Sequence, residues 1–89
     1  MKRVRILISG EVQGVSFRNF LKRNSVLLSL KGFCRNLQDG RVECVFEGEN
    51  ENIEKIIILC NLGPEKAKVN DINVKEEEFS AEFKDFSVL

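Results

Sequence analysis

The period of the apolar positions changes several times along this 89-residue chain, and each change marks an element. Val4, Ile6 and Ile8 alternate with Arg5, Leu7 and Ser9, which is the two-residue period of a strand with one apolar face. Gly10 to Ser16 holds two glycines, Gly10 and Gly14, and reads as a loop. From Phe17 the spacing turns helical. Phe17, Phe20, Leu21 and Leu28 lie near one face with the small Ser25 between them, while Lys22, Arg23 and Asn24 fall toward solvent. The helix is expected to end near Leu28-Ser29. Val26 and Leu27 are surplus apolar residues that do not both fit the buried face.

A second strand is expected from Leu30 to Asn36, with Leu30, Gly32, Cys34 and Asn36 on one face and Lys31, Phe33 and Arg35 on the other. Gln38-Asp39-Gly40 is a turn signal. Alternation resumes from Arg41 to Gly48, with Val42, Cys44 and Phe46 inward. Asn50 suits a helix cap, and Ile53, Ile56, Ile57 and Cys60 follow the i, i+3, i+4, i+7 rule up to the stop at Gly63-Pro64. A fourth strand is expected over Val69 to Lys75, with Ile72 and Val74 inward. Glu76-Glu77-Glu78 then reads as a solvated loop. A short last strand, Glu82 to Val88, puts Phe86 and Val88 inward.

The order β-α-β-β-α-β plus a terminal strand is the ferredoxin-like α+β sandwich, an antiparallel sheet with two helices on one face. The length suits one domain over residues 1–89, because a typical domain runs to roughly 100–150 residues. That plan hosts many functions and names none by itself.

Composition narrows the chemistry. Lys plus Arg and Asp plus Glu are 14 each, so the formal charge is zero. Nonspecific affinity for nucleic acid or anionic lipid, which rests on excess positive charge, is not expected. There is no His, Trp or Tyr. Imidazole bases, phosphohistidines, serine triads, Cys–His dyads and Tyr nucleophiles are therefore out. Cys34, Cys44 and Cys60 form no C-x-x-C pair and no zinc site of usual spacing, and their odd number suits small buried hydrophobes in a reducing compartment. Cys34 and Cys44 face one another across the expected hairpin, where an oxidising setting would allow a disulfide. The apolar stretch Ile6-Leu7-Ile8 is too short for a leader, and Ile56 to Cys60 is far below membrane-spanning length. A cytoplasmic, monomeric protein needing no cofactor and no metal is the expectation.

The loop Gly10-Glu11-Val12-Gln13-Gly14-Val15-Ser16-Phe17-Arg18 joins a strand to a helix. Its glycines let backbone N–H groups converge, and the helix start adds positive potential, which together suit an anion. Arg18 sits in the first turn, where a cation is poorly matched to the helix dipole and invites an anionic partner. No Lys-Ser/Thr follows Gly14, so this is not a Walker loop. The residues alone equally fit a tight connection with a solvated Arg18, and Asn36 equally fits a turn-forming residue before Gln38-Asp39-Gly40.

At these residues the sequence resembles the acylphosphatase family. Val12-Gln13-Gly14-Val15-Ser16-Phe17-Arg18 is similar to its phosphate-loop signature. Lys31-Gly32-Phe33-Cys34-Arg35-Asn36 is similar to its second signature. Asp39-Gly40, Glu47-Gly48 and Gly63-Pro64 continue the likeness over nearly the whole chain, while Ser16, Asn19 and Ser29 depart from the residues most frequent there. The resemblance implies a hydrolase of small acyl phosphates. Arg18 would bind the phosphoryl group, and Asn36 would orient the attacking water. Backbone N–H groups of Gln13, Gly14, Val15, Ser16 and Phe17 would complete the cradle. The alternative is a noncatalytic ferredoxin-like module for a small anion or RNA, which would use Arg5, Phe33, Arg35 and Arg41 on the open sheet face, beside Glu43 and Glu47.

Overall fold

The computed structural model describes residues 1–89. Its elements are β1 (Lys2–Glu11), α1 (Phe17–Leu27), β2 (Lys31–Asn36), β3 (Val42–Gly48), α2 (Asn50–Leu62), β4 (Lys68–Glu77) and β5 (Phe86–Val88). They build a five-stranded sheet in the order β4-β1-β3-β2-β5. The pairs β1–β3, β1–β4 and β2–β3 are antiparallel, as expected of the ferredoxin-like plan. The terminal strand runs parallel to β2, which makes the sheet mixed.

One face of the sheet is apolar because the alternating residues stay in phase across strands. Ile6 pairs with Cys44, and Cys44 pairs with Cys34, so all three point to the same side. Phe17 and Leu21 of α1 and Ile53, Ile56 and Cys60 of α2 complete one buried core with them. Fully burying such a side chain contributes about 1.5–3 kcal/mol. Phe86 of β5 stacks on Phe46 at 5.3 Å and seals the far edge. Val26 and Leu27 are both exposed, so the buried face of α1 has room for neither.

Four local expectations need correction. The last strand is Phe86–Val88 rather than Glu82 to Val88, and Val88 at its end is exposed. Glu49, not Asn50, holds the extended conformation of an N-cap, because the chain leaving β3 stays extended through it (φ −62°, ψ 143°). Val74 pairs with Ile6 and so faces the helix side, yet it is exposed, since β4 is an edge strand with nothing beyond it. Glu76 and Glu77 are no loop; they extend β4, and Glu77 is drawn onto the sheet by two arginines of β1.

α1 ends as a Schellman motif. Leu30 N–H donates to Ser25 O at 2.8 Å, and Ser29 N–H donates to Val26 O at 3.1 Å. Ser29 takes φ +55°, where glycine is at ease and any other residue pays about 1–2 kcal/mol.

The other face of the sheet is closed by charge. Glu47 is almost fully buried and accepts from Arg3 Nη1 at 3.3 Å and from the Ser80 N–H and hydroxyl at 3.0 Å each. Arg3 also donates to Glu77 (3.0 Å) and Glu82 (2.6 Å), and Arg5 donates to Glu77 (2.7 Å) and Glu43 (2.9 Å). Arg35 donates to Glu43 at 2.6 Å. Phe83 covers Phe33 edge-on at 5.9 Å and carries the Arg3 guanidinium at 5.3 Å from its ring. The segment after β4 is thus strapped over the open face.

These pairings set an acid limit. The Glu77 carboxyl lies below its ordinary value of 4.5, chiefly through the hydrogen bond from Arg5, and that of Glu82 is lowered chiefly by Arg3. A carboxylate whose pKa is lower in the folded state stabilises the fold at neutral pH, and that stability is lost as pH falls through the lowered value. Urea unfolding is expected to show a loss of stability that begins below about pH 5. Arg3→Met should cost about 3 kcal/mol at neutral pH, because Glu47 stays buried without its cation, and should flatten the acid limb. A variant with wild-type stability and an unchanged acid limb would refute the strap.

Candidate active site

A cleft of about 100 Å³ lies where β1 hands over to α1. Val12, Gly14, Ser16, Phe17, Arg18, Asn19, Asn36 and Val88 line it. It therefore brings together Arg18 and Asn36, which stand 18 positions apart in the sequence on different elements.

The handover is built from backbone geometry. β1 breaks register with β4 between Ser9 and Gly10, and Gly10 takes φ +130°; a Cβ there would sit 2.2 Å from Lys68 O. Gly14 takes φ +72° with open space around it, so its need is conformational rather than steric. Ser16, the N-cap of α1, is left-handed at φ 62° and makes no side-chain cap bond. The first bond of the helix runs from Phe20 N–H to Ser16 O at 3.0 Å. No turn or loop hydrogen bond between backbone groups uses an N–H from residues 14 to 19. Free donors at a helix start carry positive potential and suit an anion.

Arg18 stands in the first turn of α1, partly exposed. Its Nη1 donates to Leu89 O at 2.7 Å, and Leu89 N–H donates to Cys34 O at 2.9 Å. The guanidinium thus reaches toward the end of β5, beside β2. Asn36 is the last residue of β2 and is exposed; its carboxamide makes no hydrogen bond within the chain. The hairpin turn behind it is held by Leu37 N–H on Arg41 O (2.8 Å) and by Asp39, which accepts from both the backbone and the side chain of Arg41.

Of the residues expected in the cradle, Gly14, Ser16 and Phe17 border the cleft and Gln13 and Val15 do not. Val15 packs against the core, and the Gln13 side chain bonds to the β2–β3 turn. Sequence reasoning missed Val12, Asn19 and Val88 as lining residues. Val12 belongs to the loop and Asn19 follows its motif directly, so both were within reach of its pattern. Val88 arrives through the parallel pairing of β5 with β2, for which no local pattern exists.

The thiols are core residues. Cys34, Cys44 and Cys60 are free and buried, Cys34 directly opposite Cys44 in the register. Burial pushes the Cys34 thiol up to about 12, and burial followed by the hydrogen bond with Cys60 pushes Cys44 well above its ordinary value. Such thiols are neutral at physiological pH and poor nucleophiles. The structure gathers no group of three His, Cys, Asp or Glu side chains that could hold a metal ion. No helix is long and apolar enough to cross a membrane.

The fold and cleft define a ferredoxin-like α+β protein with an anion-suited site at the start of its first helix. The family model for acylphosphatase matches residues 4–88. An acylphosphatase of Methylococcus capsulatus is 44% identical over 89 residues, which covers 100% of this chain and 97% of the relative. One from Syntrophus aciditrophicus is 42% identical, covering 100% and 93%. The crystal structure of acylphosphatase from Bacillus subtilis superposes with a TM-score of 0.96 at 34% identity, covering 100% of this chain and 99% of that one. The chain belongs to the acylphosphatase family.

With the thiols placed in the core, iodoacetamide at about pH 7.5 should leave all three unmodified in the folded protein and label all three in denaturant. Rapid labelling of Cys34 in the folded state would contradict its burial.

Proposed function

We propose that this chain, as one acylphosphatase domain over residues 1–89, hydrolyses small acyl phosphates through Arg18, Asn36 and the N–H groups that precede and open α1. The observation that carries the proposal is that Arg18, Asn36 and the start of α1 border one cleft. The phosphoryl group would lie against the free N–H groups, and the Arg18 guanidinium would bridge two of its oxygens with charge-assisted hydrogen bonds. To do so Arg18 gives up its bond to Leu89 O.

The Asn36 carboxamide, free of partners in the chain, would accept from the attacking water and hold it in line with the scissile bond. The new P–O bond forms to that water as the bond from phosphorus to the acyl oxygen breaks, and the carboxylate leaves. A carboxylate is a good leaving group, so positioning and charge stabilisation carry most of the reaction. No His is present, and the cleft lining contains no carboxylate side chain. The phosphate oxygens themselves then take the proton of the water. The absence of a carboxylate, thiol or imidazole cluster with metal-ligand geometry supports a reaction independent of added metal.

The open sheet face supports the enzyme over an RNA-binding module. RNA recognition on such a sheet uses free cations and stacked aromatics. Arg5 and Arg35 here are paired with carboxylates, Arg41 is paired with Asp39, and Phe33 is covered by Phe83. The balanced charge favours a small-molecule substrate over a polyanionic partner, and the reading takes the protein to act as a cytoplasmic monomer.

Benzoyl phosphate kinetics in EDTA test the assignment. Wild-type protein should turn over without added metal. Arg18→Ala should lose both phosphate inhibition and turnover, since the guanidinium holds the phosphoryl group in ground and transition states alike. Asn36→Ala should keep phosphate inhibition within a few-fold while kcat falls by roughly 10²-fold. Normal turnover by Asn36→Ala, or strict dependence on magnesium or zinc, would overturn the mechanism.

A further inference from the structure

The two halves of the cleft stand on strands that do not touch. The loop after β1 forms the cradle, and Asn36 ends β2, but β3 lies between those strands. Two strand spacings separate β1 from β2, about 10 Å. The Asn36 side chain has no partner in the chain, so its position is set by its backbone alone. A reaction that depends on a water held in line is sensitive to that gap, since about 1 Å of misplacement can cost roughly 10²-fold in rate.

One side chain spans the gap. Gln13 Nε2 donates to Leu37 O at 2.8 Å and to Arg41 O at 3.0 Å. An amide NH₂ has two protons, and both are used. The two acceptors flank the mouth of the β2–β3 turn, which Leu37 N–H closes by donating to the same Arg41 O at 2.8 Å. Leu37 follows Asn36 directly, and Gln13 precedes Gly14 directly. The bonds are partly buried and lie outside the lining of the cleft, so Gln13 makes them without facing the substrate. Its neighbour Val12 is anchored in the core, which leaves the amide a short, defined reach.

We propose that Gln13 is a positioning residue, whose side chain fixes the distance between the phosphoryl cradle and the Asn36 carboxamide. This rests on the water-orienting role proposed for Asn36. The tie acts through backbone carbonyls, so it sets where the strand end sits and leaves the carboxamide free to turn toward water. Losing it lets the hairpin end drift from the cradle, while the N–H groups and Arg18 that hold the phosphoryl group stay in place.

The test is a double-mutant cycle on benzoyl phosphate kinetics with inorganic phosphate as the competing ligand. Gln13→Met keeps the length of the side chain and removes both donors. It should lower kcat about ten-fold and leave the phosphate inhibition constant within about two-fold. In the Asn36→Ala background the same change should cost nothing further, because the group it positions is gone. Urea unfolding of each variant separates folding from function. Should Gln13→Met fail to fold, Gln13→Asn keeps both donors on a stem one methylene shorter and should show the same split in milder form. If Asn36→Ala lowers kcat but the Gln13 change is silent or fully additive to it, the positioning role is wrong and that of Asn36 stands. If phosphate inhibition weakens in step with kcat, Gln13 supports the cradle instead, and the proposal is likewise overturned. If Asn36→Ala itself leaves kcat unchanged, the role of Asn36 fails and takes this inference with it.

Discussion

The passage from β1 to α1 leaves the backbone N–H groups of residues 14 to 19 without a carbonyl partner, and the site is organised around them. Backbone donors without partners are costly unless water or a ligand satisfies them. The chain can present them because Gly14 and Ser16 both adopt left-handed conformations, which turn the backbone outward before the helix begins. Arg18 then places a cation at the positive end of the α1 dipole, an arrangement that is unfavourable without an anionic partner. Its bond to Leu89 O uses one donor of the guanidinium and leaves the others for an incoming anion. An oxyanion entering the cleft meets the N–H groups, the helix field and the guanidinium together.

The rest of the fold holds that passage against the end of β2. The helix-side face of the sheet is apolar and seats α1 through Phe17 and Leu21. Lys22 of α1 donates to Phe86 O of β5, and β5 pairs with β2, so helix, terminal strand and Asn36-bearing strand form one unit. The Cys34 thiol lies beneath, within 3.9 Å of Arg18 O. On the far face, the Arg3–Glu47–Glu77–Glu82 network and the Phe33–Phe83 pair tie the segment after β4 across the sheet. Buried ion pairs of this kind add little net stability over apolar packing but are costly to break, so their contribution here is to hold one arrangement of the strap.

Much of this was legible in the residues. The β2–β3 hairpin announced itself, because Val42, Cys44 and Phe46 alternate behind an Asp39-Gly40 turn. Helix spacing gave the buried faces of both helices and the end of the first near Leu28-Ser29, but not the left-handed backbone that Ser29 adopts there. What pattern gives is the face a residue takes, and it does not say whether anything covers that face. Val74 is on the helix side and exposed for that reason. A run of like charge says nothing of its partners either, and Glu77 met two arginines that sit more than seventy positions away along the chain. The meeting of Arg18 with Asn36 was likewise beyond spacing. Each residue alone fitted a plain connection or a turn, and only the family likeness of two motifs placed them in one site.

The central claim is that a phosphate group is held at the start of α1. Titration of ¹⁵N-labelled protein with inorganic phosphate at constant ionic strength tests it most directly. The account predicts saturable amide shifts centred on Val15 to Arg18, with the Arg18 guanidinium signals moving in step and the β3–α2 amides still. Shifts that centre elsewhere while Val15 to Arg18 stay unmoved would contradict it.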